Sequence, residues 1–190
     1  MNTIRLATTA DAASMLEIYK PFILNTAITF ETEVPSLPSF EQRIQTYLET
    51  WPWLVYEVDG IVAGYAYAAK HRERAAYQWC VESSVYVHPG FYKKGVATIL
   101  YEALFKILKR QGFINVYAVI TLPNDKSISF HKDFGFTHFA DYKNIGFKLN
   151  QWHTVSWWEL QLNEYPADAH DPVKLPMLDR SFLSGVLNEK

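Results

Sequence analysis

The sequence predicts an α/β chain in which a mixed, mostly antiparallel sheet carries helices on both faces. Three observations predict it. Apolar segments of period two and of helical period succeed one another in the order β, α, α, three β, α, β, α, two β. A β-branched strand, Cys80 to Val87, runs through a basic glycine turn into an amphipathic helix. The 190 residues, 49% hydrophobic and 16% aromatic, suffice for one core, and a chain of that length buries roughly 70% of its unfolded surface.

Each element has its own signal. Ile4 to Ala7 forms a short strand, and Thr8 or Thr9 caps a helix whose inner face is Met15, Ile18, Tyr19, Phe22 and Ile23. Pro21 should kink or end that helix. Asn25 to Pro38, Thr-rich and with two prolines, reads as a functional loop around Phe30, and Ser39 caps a second helix with Phe40, Ile44, Tyr47 and Leu48 inward. Strands Trp53 to Val58 and Ile61 to Ala69 flank Asp59-Gly60, a two-residue hairpin signal. A charged connection, Lys70 to Arg74, leads into a strand from Tyr77 to Val87, stopped by His88-Pro89-Gly90.

The main helix runs from Gly95 to Arg110 and stops at Gly112, which suits a left-handed cap. Val116 to Ile120 is the next strand. Leu122-Pro123-Asn124-Asp125 then turns into a short helix through Ser127, Ile128, His131 and Phe134, closed by Gly135. Phe136 to Tyr142 and Trp152 to Leu162 complete the sheet. Asn163 to Lys190 forms an arm, helical over Leu178 to Leu187, that packs on the body or on a partner subunit.

Composition excludes several functions. A net charge of -2 and a pI near 6.3 leave no broad face for polyphosphate, so no nucleic acid is expected. The single cysteine, Cys80, allows no internal disulfide and no metal cluster, which fits a reducing compartment. No signal-like segment opens the chain, and no apolar run reaches the roughly 18 residues of a membrane span. The expectation is a cytoplasmic protein without membrane or metal.

The chemistry concentrates between Cys80 and Arg110. The first amides of a helix lack intrahelical acceptors, and a small residue at Gly95 admits a phosphate to them. Lys93 and Lys94 add local charge, yet the Lys and Ser or Thr of an ATPase phosphate loop are replaced by Val96 and Ala97. Glu82 is either an outward carboxylate on a strand or, in a central strand, a paired or hydrated group suited to general base work. His131 reads as a packing histidine or a catalytic one. Asn124 and Asp125 suit a turn and cap, and Arg72 and Arg74 suit a solvated loop or the grip of a carboxylate. Together they suggest group transfer from a phosphate-bearing cofactor.

These residues resemble the GNAT N-acetyltransferases, and within them the phosphinothricin and methionine sulfoximine acetyltransferase branch. The resemblance runs from about Thr3 to Leu162 and rests on Thr29-Phe30-Glu31, Trp51-Pro52-Trp53, Arg74-Ala75-Ala76-Tyr77, Val81-Glu82-Ser83-Ser84-Val85-Tyr86-Val87, Leu122-Pro123-Asn124-Asp125 with His131, and Gly146-Phe147-Lys148 with Trp152-His153. The family's phosphate motif usually opens on Arg or Gln; Tyr92 stands there instead, while Gly95 and Ala97 keep the small positions.

The resemblance implies a GNAT fold over residues 1–162, with splayed central strands and an arm at 163–190. Acetyl-CoA would pair its pantetheine with the backbone of Val85, Tyr86 and Val87, and rest its pyrophosphate on Lys93, Lys94, Gly95, Val96, Ala97 and Thr98. Asn124 would hold it from the other side. Glu82 would be the base and His131 the acid for the departing thiolate. Phe30, Arg72, Arg74, Tyr77, Ser83 and Ser84 would hold the α-amino acid, a phosphinothricin, methionine sulfoximine or methionine sulfone. A homodimer is implied as well. The rival readings are an acetyl-CoA sensor or interaction module without turnover, and transfer to another small amine or a protein amino terminus.

Overall fold

The computed structural model describes residues 2–188; residues 1 and 189–190, the outermost positions of the two expected segments, lie outside the described residues. The elements are β1 (Asn2–Leu6), α1 (Ala12–Asn25), α2 (Leu37–Leu48), β2 (Trp53–Val58), β3 (Ile61–Lys70), β4 (Cys80–Val87), α3 (Val96–Gln111), β5 (Asn115–Thr121), α4 (Asp125–Asp133), β6 (Thr137–Lys148), β7 (Gln151–Gln161) and α5 (Arg180–Asn188). The seven strands form one sheet in the order β1-β2-β3-β4-β5-β7-β6. Neighbours are antiparallel except β4 and β5, which run parallel.

The expected element order is the observed one, and the turn chemistry explains why. Asp59 and Gly60 both take positive φ, 50° and 80°, the conformation of a tight hairpin whose twist matches its strands. Gly112 ends α3 at φ 92°, its N–H donating to the carbonyls of Leu108 and Lys109.

Several boundaries differ from expectation: β1 runs from Asn2 to Leu6, and Thr8 caps only a 3-10 turn, Asp11 being the N-cap of α1. Pro21 sits inside α1, which continues to Asn25; only one N–H is lost there, and the buried face of Met15, Ile18, Tyr19 and Ile23 holds the helix together. Ser36 caps α2 in place of Ser39: its Oγ accepts the Ser39 N–H at 3.4 Å, and Pro38 is tolerated because first-turn amides need no intrahelical acceptor. Before β4, Ala75–Tyr77 forms a short 3-10 turn, so the strand begins at Cys80. β6 runs on to Lys148 and meets β7 through Leu149 and Asn150, both at positive φ (52° and 60°), a hairpin turn made without glycine.

The sheet separates two cores. On one face α3 packs Leu100, Leu104 and Ile107 against Leu54, Ala66, Val81 and Val116. On the other, α1 and α2 pack Met15, Ile18, Ile23, Phe40 and Ile44 against Trp53, Val55 and Tyr65. Fully burying one such side chain contributes about 1.5–3 kcal/mol. Residues of the arm, Leu175, Leu178 and Val186, belong to the α3-side core. Gln111 ties that arm down, its Nε2 donating to the carbonyls of Thr50 and Val173 at 2.7 Å each.

The feature that positions the site lies at the parallel pair. β4 and β5 are paired only at Cys80↔Asn115, Val81↔Val116 and Glu82↔Tyr117. Beyond Glu82, β4 stays paired to β3 as far as Val87, and β5 stays paired to β7 as far as Thr121. The two central strands therefore part, each held by its outer neighbour, and leave a wedge open between them.

Candidate active site

One wall of the wedge is a row of unused backbone groups. His88 N–H donates to Ala63 O at 2.9 Å, which fixes the phase of the β3–β4 ladder. Paired residues in an antiparallel ladder alternate between bonded and non-bonded, so Glu82, Ser84 and Tyr86 turn their amides and carbonyls to β3. Those of Val85 and Val87 turn the other way, into the wedge, while the Ser83 N–H still serves the last β4–β5 bridge at Glu82↔Tyr117. An extended amide-bearing chain laid there would add itself as a strand. Val85 and Val87 offer hydrogen bonds; Tyr86 lies between them with its backbone groups engaged by β3.

At the end of β4 the chain turns through Pro89–Phe91 into α3. Lys93 and Gly95 both have positive φ, 61° and 78°, and Gly95 is the N-cap without any side-chain cap bond. Ile99 N–H is the first in the helix to find its partner, Gly95 O at 3.0 Å. Among the described residues, no N–H from Lys93 to Thr98 makes a close hydrogen bond to a protein acceptor. A Cβ added to Gly95 would meet nothing of the protein within 4 Å, so the cradle in front of these amides is open. Converging N–H groups, a helix dipole and two exposed lysines fit a diphosphate. Lys94 Nζ lies 4.9 Å over the Phe91 ring, a contact that orders its charge beside the turn.

Glu82 occupies the last paired position, the vertex of the wedge. Successive side chains of β4 point to opposite faces. Tyr86 meets Tyr19 and Phe22 of α1, so Glu82 and Ser84 share the α1 face. The Glu82 side chain is 35% exposed and its Oε1 lies 2.9 Å from Nδ1 of His71. Around it stand His71, stacked on Tyr117 with centroids 4.5 Å apart, and Trp157, over which the Arg72 guanidinium lies at 5.8 Å. Tyr77 meets His71 edge-on at 6.3 Å. Arg72 and Tyr77 are thus brought to the vertex. Arg74 is the N-cap of the short turn that ends at Tyr77 and makes no hydrogen bond or ion pair with Glu82 among the described residues.

Ser83 and His131 lie on the other face. Ser83 Oγ–H donates to the Tyr101 hydroxyl at 3.2 Å, which is in turn 3.3 Å from His131 Nε2. His131 Nδ1 is 2.8 Å from the Ser127 carbonyl, an acceptor only, so Nδ1 carries the proton and the neutral ring receives the Tyr101 O–H at Nε2. Burial pushes His131 below its ordinary value, against a partial rise from the Ser127 carbonyl. Burial also raises the Tyr101 phenol, partly opposed by Ser83. Glu82 and His131 therefore flank the wedge from opposite faces and do not meet. Asn124 caps α4: its Oδ1 accepts the Ser127 N–H at 3.2 Å, and its Nδ2 is without a protein acceptor among the described residues.

The loop between α1 and α2 closes over β6 and β7. Lys148 Nζ donates to Thr29 O at 2.6 Å, Glu31 pairs with Arg43 at 2.7 Å, and Thr29 Oγ1 lies 2.7 Å from the Tyr19 hydroxyl. Phe30 lies so close over Gly146 that a Cβ there would sit 2.2 Å from its ring and push it aside. Phe30 remains 40% exposed. It lines the far end of this face rather than touching Glu82.

His71, Tyr101 and Trp157 were not read from the sequence as site residues. His71 is hidden in a charged connection, and Tyr101 and Trp157 look like core aromatics. Their roles depend on which strand faces which helix.

The comparisons with known proteins agree with this geometry. Residues 4–157 match the family described as an acetyltransferase (GNAT) domain. A phosphinothricin N-acetyltransferase of Streptomyces viridochromogenes is 39% identical over 164 residues, covering 86% of this chain and 89% of that protein. An L-methionine sulfoximine/L-methionine sulfone acetyltransferase of Salmonella typhimurium is 34% identical, covering 87% of this chain and 97% of that one. The crystal structure of a GNAT superfamily phosphinothricin acetyltransferase from Sinorhizobium meliloti, in complex with AcCoA, superposes with a TM-score of 0.83 at 33% identity, covering 90% of this chain and 93% of that chain. With its parted central strands, its open helix-cap amides and a family match across most of its length, this chain belongs to the GNAT acetyltransferases.

Proposed function

We propose that this enzyme transfers the acetyl group of acetyl-CoA to the α-amine of a small amino-acid analogue of the phosphinothricin, methionine sulfoximine or methionine sulfone type, a detoxifying reaction that would confer resistance to such herbicides in the cytoplasm. The observation that carries it is the position of Glu82, a half-exposed carboxylate at the vertex of the wedge. Relatives that act on these substrates cover nearly all of the same chain.

Acetyl-CoA supplies an activated thioester carbonyl. The Lys93–Thr98 amides bind its diphosphate, the Val85 and Val87 backbone pairs with the pantetheine amides, and the Asn124 Nδ2 donates from the opposite side. Glu82 takes a proton from the substrate ammonium, directly or through water, because a protonated amine has no lone pair with which to attack. A positioned base of this kind is worth about 10²- to 10⁴-fold in rate. The Val85 N–H, directed into the wedge, receives the carbonyl oxygen as charge develops on it. Arg72, with Arg74 and Tyr77, faces the substrate carboxylate, while Ser84 and Phe30 line the rest of the pocket.

His131 is a poor acid in this arrangement, since only its imidazolium could donate at Nε2 and burial opposes that form. A thiol ordinarily ionises near 8.5, so the departing thiolate would need no protein acid, and the proton it gains from solvent would balance the second proton released by the newly acylated nitrogen. Ser83, turned to Tyr101, shapes the opposite wall. We propose residues 1–162 as the catalytic unit and 163–190 as an arm that braces α3. A homodimer through β6 is proposed as well and is taken up below.

The test is thiol release from acetyl-CoA across a panel of amines. Phosphinothricin, methionine sulfoximine and methionine sulfone should exceed aminoglycosides and peptides by at least about tenfold in kcat/KM, a difference of about 1.4 kcal/mol. Glu82→Gln should lower kcat by about 10²-fold or more while acetyl-CoA binding is retained. Equal rates across the panel would refute the substrate class, and unchanged turnover in Glu82→Gln would remove Glu82 from the chemistry.

A further inference from the structure

Glu82 has a partner that the reaction as derived above does not use. Its Oε1 lies 2.9 Å from Nδ1 of His71, the residue immediately after β3. An ionised carboxylate offers only lone pairs, so Nδ1 carries hydrogen and donates. The imidazole is itself held on three sides. It stacks on Tyr117 at an interplanar angle of 28°, and it meets Trp157 edge-on at 5.8 Å and Tyr77 at 6.3 Å.

Exposure divides the pair. The His71 side chain is 12% exposed and that of Glu82 is 35% exposed. The fixed member is the histidine and the open one the carboxylate. Among the described residues Glu82 Oε2 accepts no protein hydrogen bond, so one oxygen is pinned and the other is left free. A glutamate is a long side chain that loses much rotamer freedom when it is ordered. At the vertex of a wedge, a base that swings between rotamers spends little time aimed at the amine.

We propose that His71 is a positioning residue for acetyl transfer: its Nδ1–H, braced by Tyr117 and Trp157, holds Glu82 Oε1 so that Oε2 is presented to the substrate ammonium. This inference rests on the reading of Glu82 as the base. If His71 only filled space between Tyr117 and Trp157, any flat ring of similar size would serve. The hydrogen bond is what the proposal adds.

Three substitutions separate these roles. His71→Phe keeps a stacking ring and removes the donor. His71→Asn returns an amide N–H near the position of Nδ1, and His71→Gln places its N–H nearer that of Nε2. Thiol release with the preferred amine should show His71→Phe and His71→Gln lowered in kcat by about tenfold or more, the loss expected for one hydrogen bond to a charged group. KM for acetyl-CoA should stay within about twofold, and His71→Asn should recover most of kcat. In a Glu82→Gln background, His71→Phe should lower kcat no further, because the two residues act as one unit.

Wild-type kcat in His71→Phe, an Asn variant as impaired as the Gln variant, or a full additional loss in the Glu82→Gln background would each overturn the inference. The comparison of Asn with Gln stands even if the Phe variant fails to fold. If Glu82→Gln itself keeps full turnover, the base assignment has failed; if Glu82→Gln is impaired and the His71 variants are silent, only the present inference has failed.

Discussion

At His131, burial and one carbonyl decide where the ring keeps its proton. The Ser127 carbonyl at 2.8 Å takes the Nδ1–H, the Tyr101 hydroxyl faces Nε2, and burial lowers the imidazole below its ordinary value of 6.5. In the unfolded chain the same ring protonates as the pH falls through about 6.5, while the folded ring resists. The unfolded state then binds more protons, so stability from this group is complete above the unfolded value and is lost as the pH falls toward the folded one. Urea midpoints measured at pH 7 and pH 5 should therefore fall further for the wild type than for His131→Gln. Parallel losses in the two proteins would show that His131 is not desolvated as described. Glu82 could be picked out from the sequence because a carboxylate amid Val81, Ser83 and Val85 conflicts with its strand. The directions of Ser83 and Ser84 could not, since neighbours on a strand face opposite sides and only the fold says which side holds the substrate.

Among the elements, β6 carries the clearest unmet demand. It is one of the two edges of the sheet, β1 being the other, and it leaves Phe139, Tyr142, Ile145 and Phe147 exposed, with Leu149 and Trp152 beyond the turn. An apolar edge of this size invites pairing or covering. A second copy of the chain would cover it, and sedimentation should give a dimer that Phe147→Glu with Trp152→Glu converts to a monomer. A wild-type monomer at micromolar concentration would contradict this assignment. The same region shows why some boundaries escaped the sequence. Asp59-Gly60 announces its hairpin by residue type, but Leu149-Asn150 makes an equivalent turn that opens on a leucine, a residue that rarely adopts positive φ. Pro21 misled in the opposite sense, because tertiary burial of α1 outweighs one missing hydrogen bond.

For the whole molecule, the decisive arrangement is a sheet whose one parallel pair is joined at three residue pairs and then parts. The order of elements along the chain and the layer arrangement followed from hydrophobic period and turn residues, whereas the order of strands within the sheet came only from the structure. The wedge did not follow from them, because no residue type encodes a missing ladder; it was expected only from the family resemblance. Physically, it exists because β3 and β7 hold β4 and β5 apart while α3 and α4 cover the ends. Gly64 helps, since a Cβ there would lie 2.8 Å from Tyr86 O and 2.9 Å from Val96, and its absence lets the start of α3 sit against β3. The helix-cap amides thereby come to the mouth of the wedge and Glu82 to its vertex.

The most direct measurement is an amide chemical-shift titration of the protein with acetyl-CoA. Saturable shifts are expected at Val85 and Val87 and at Lys94 to Thr98, with Ser84 and Tyr86, whose amides are bonded to β3, moving less. If those amides stayed still while acetyl-CoA bound elsewhere, or if the even-numbered residues of β4 moved in their place, the carrier would not lie between the parted strands.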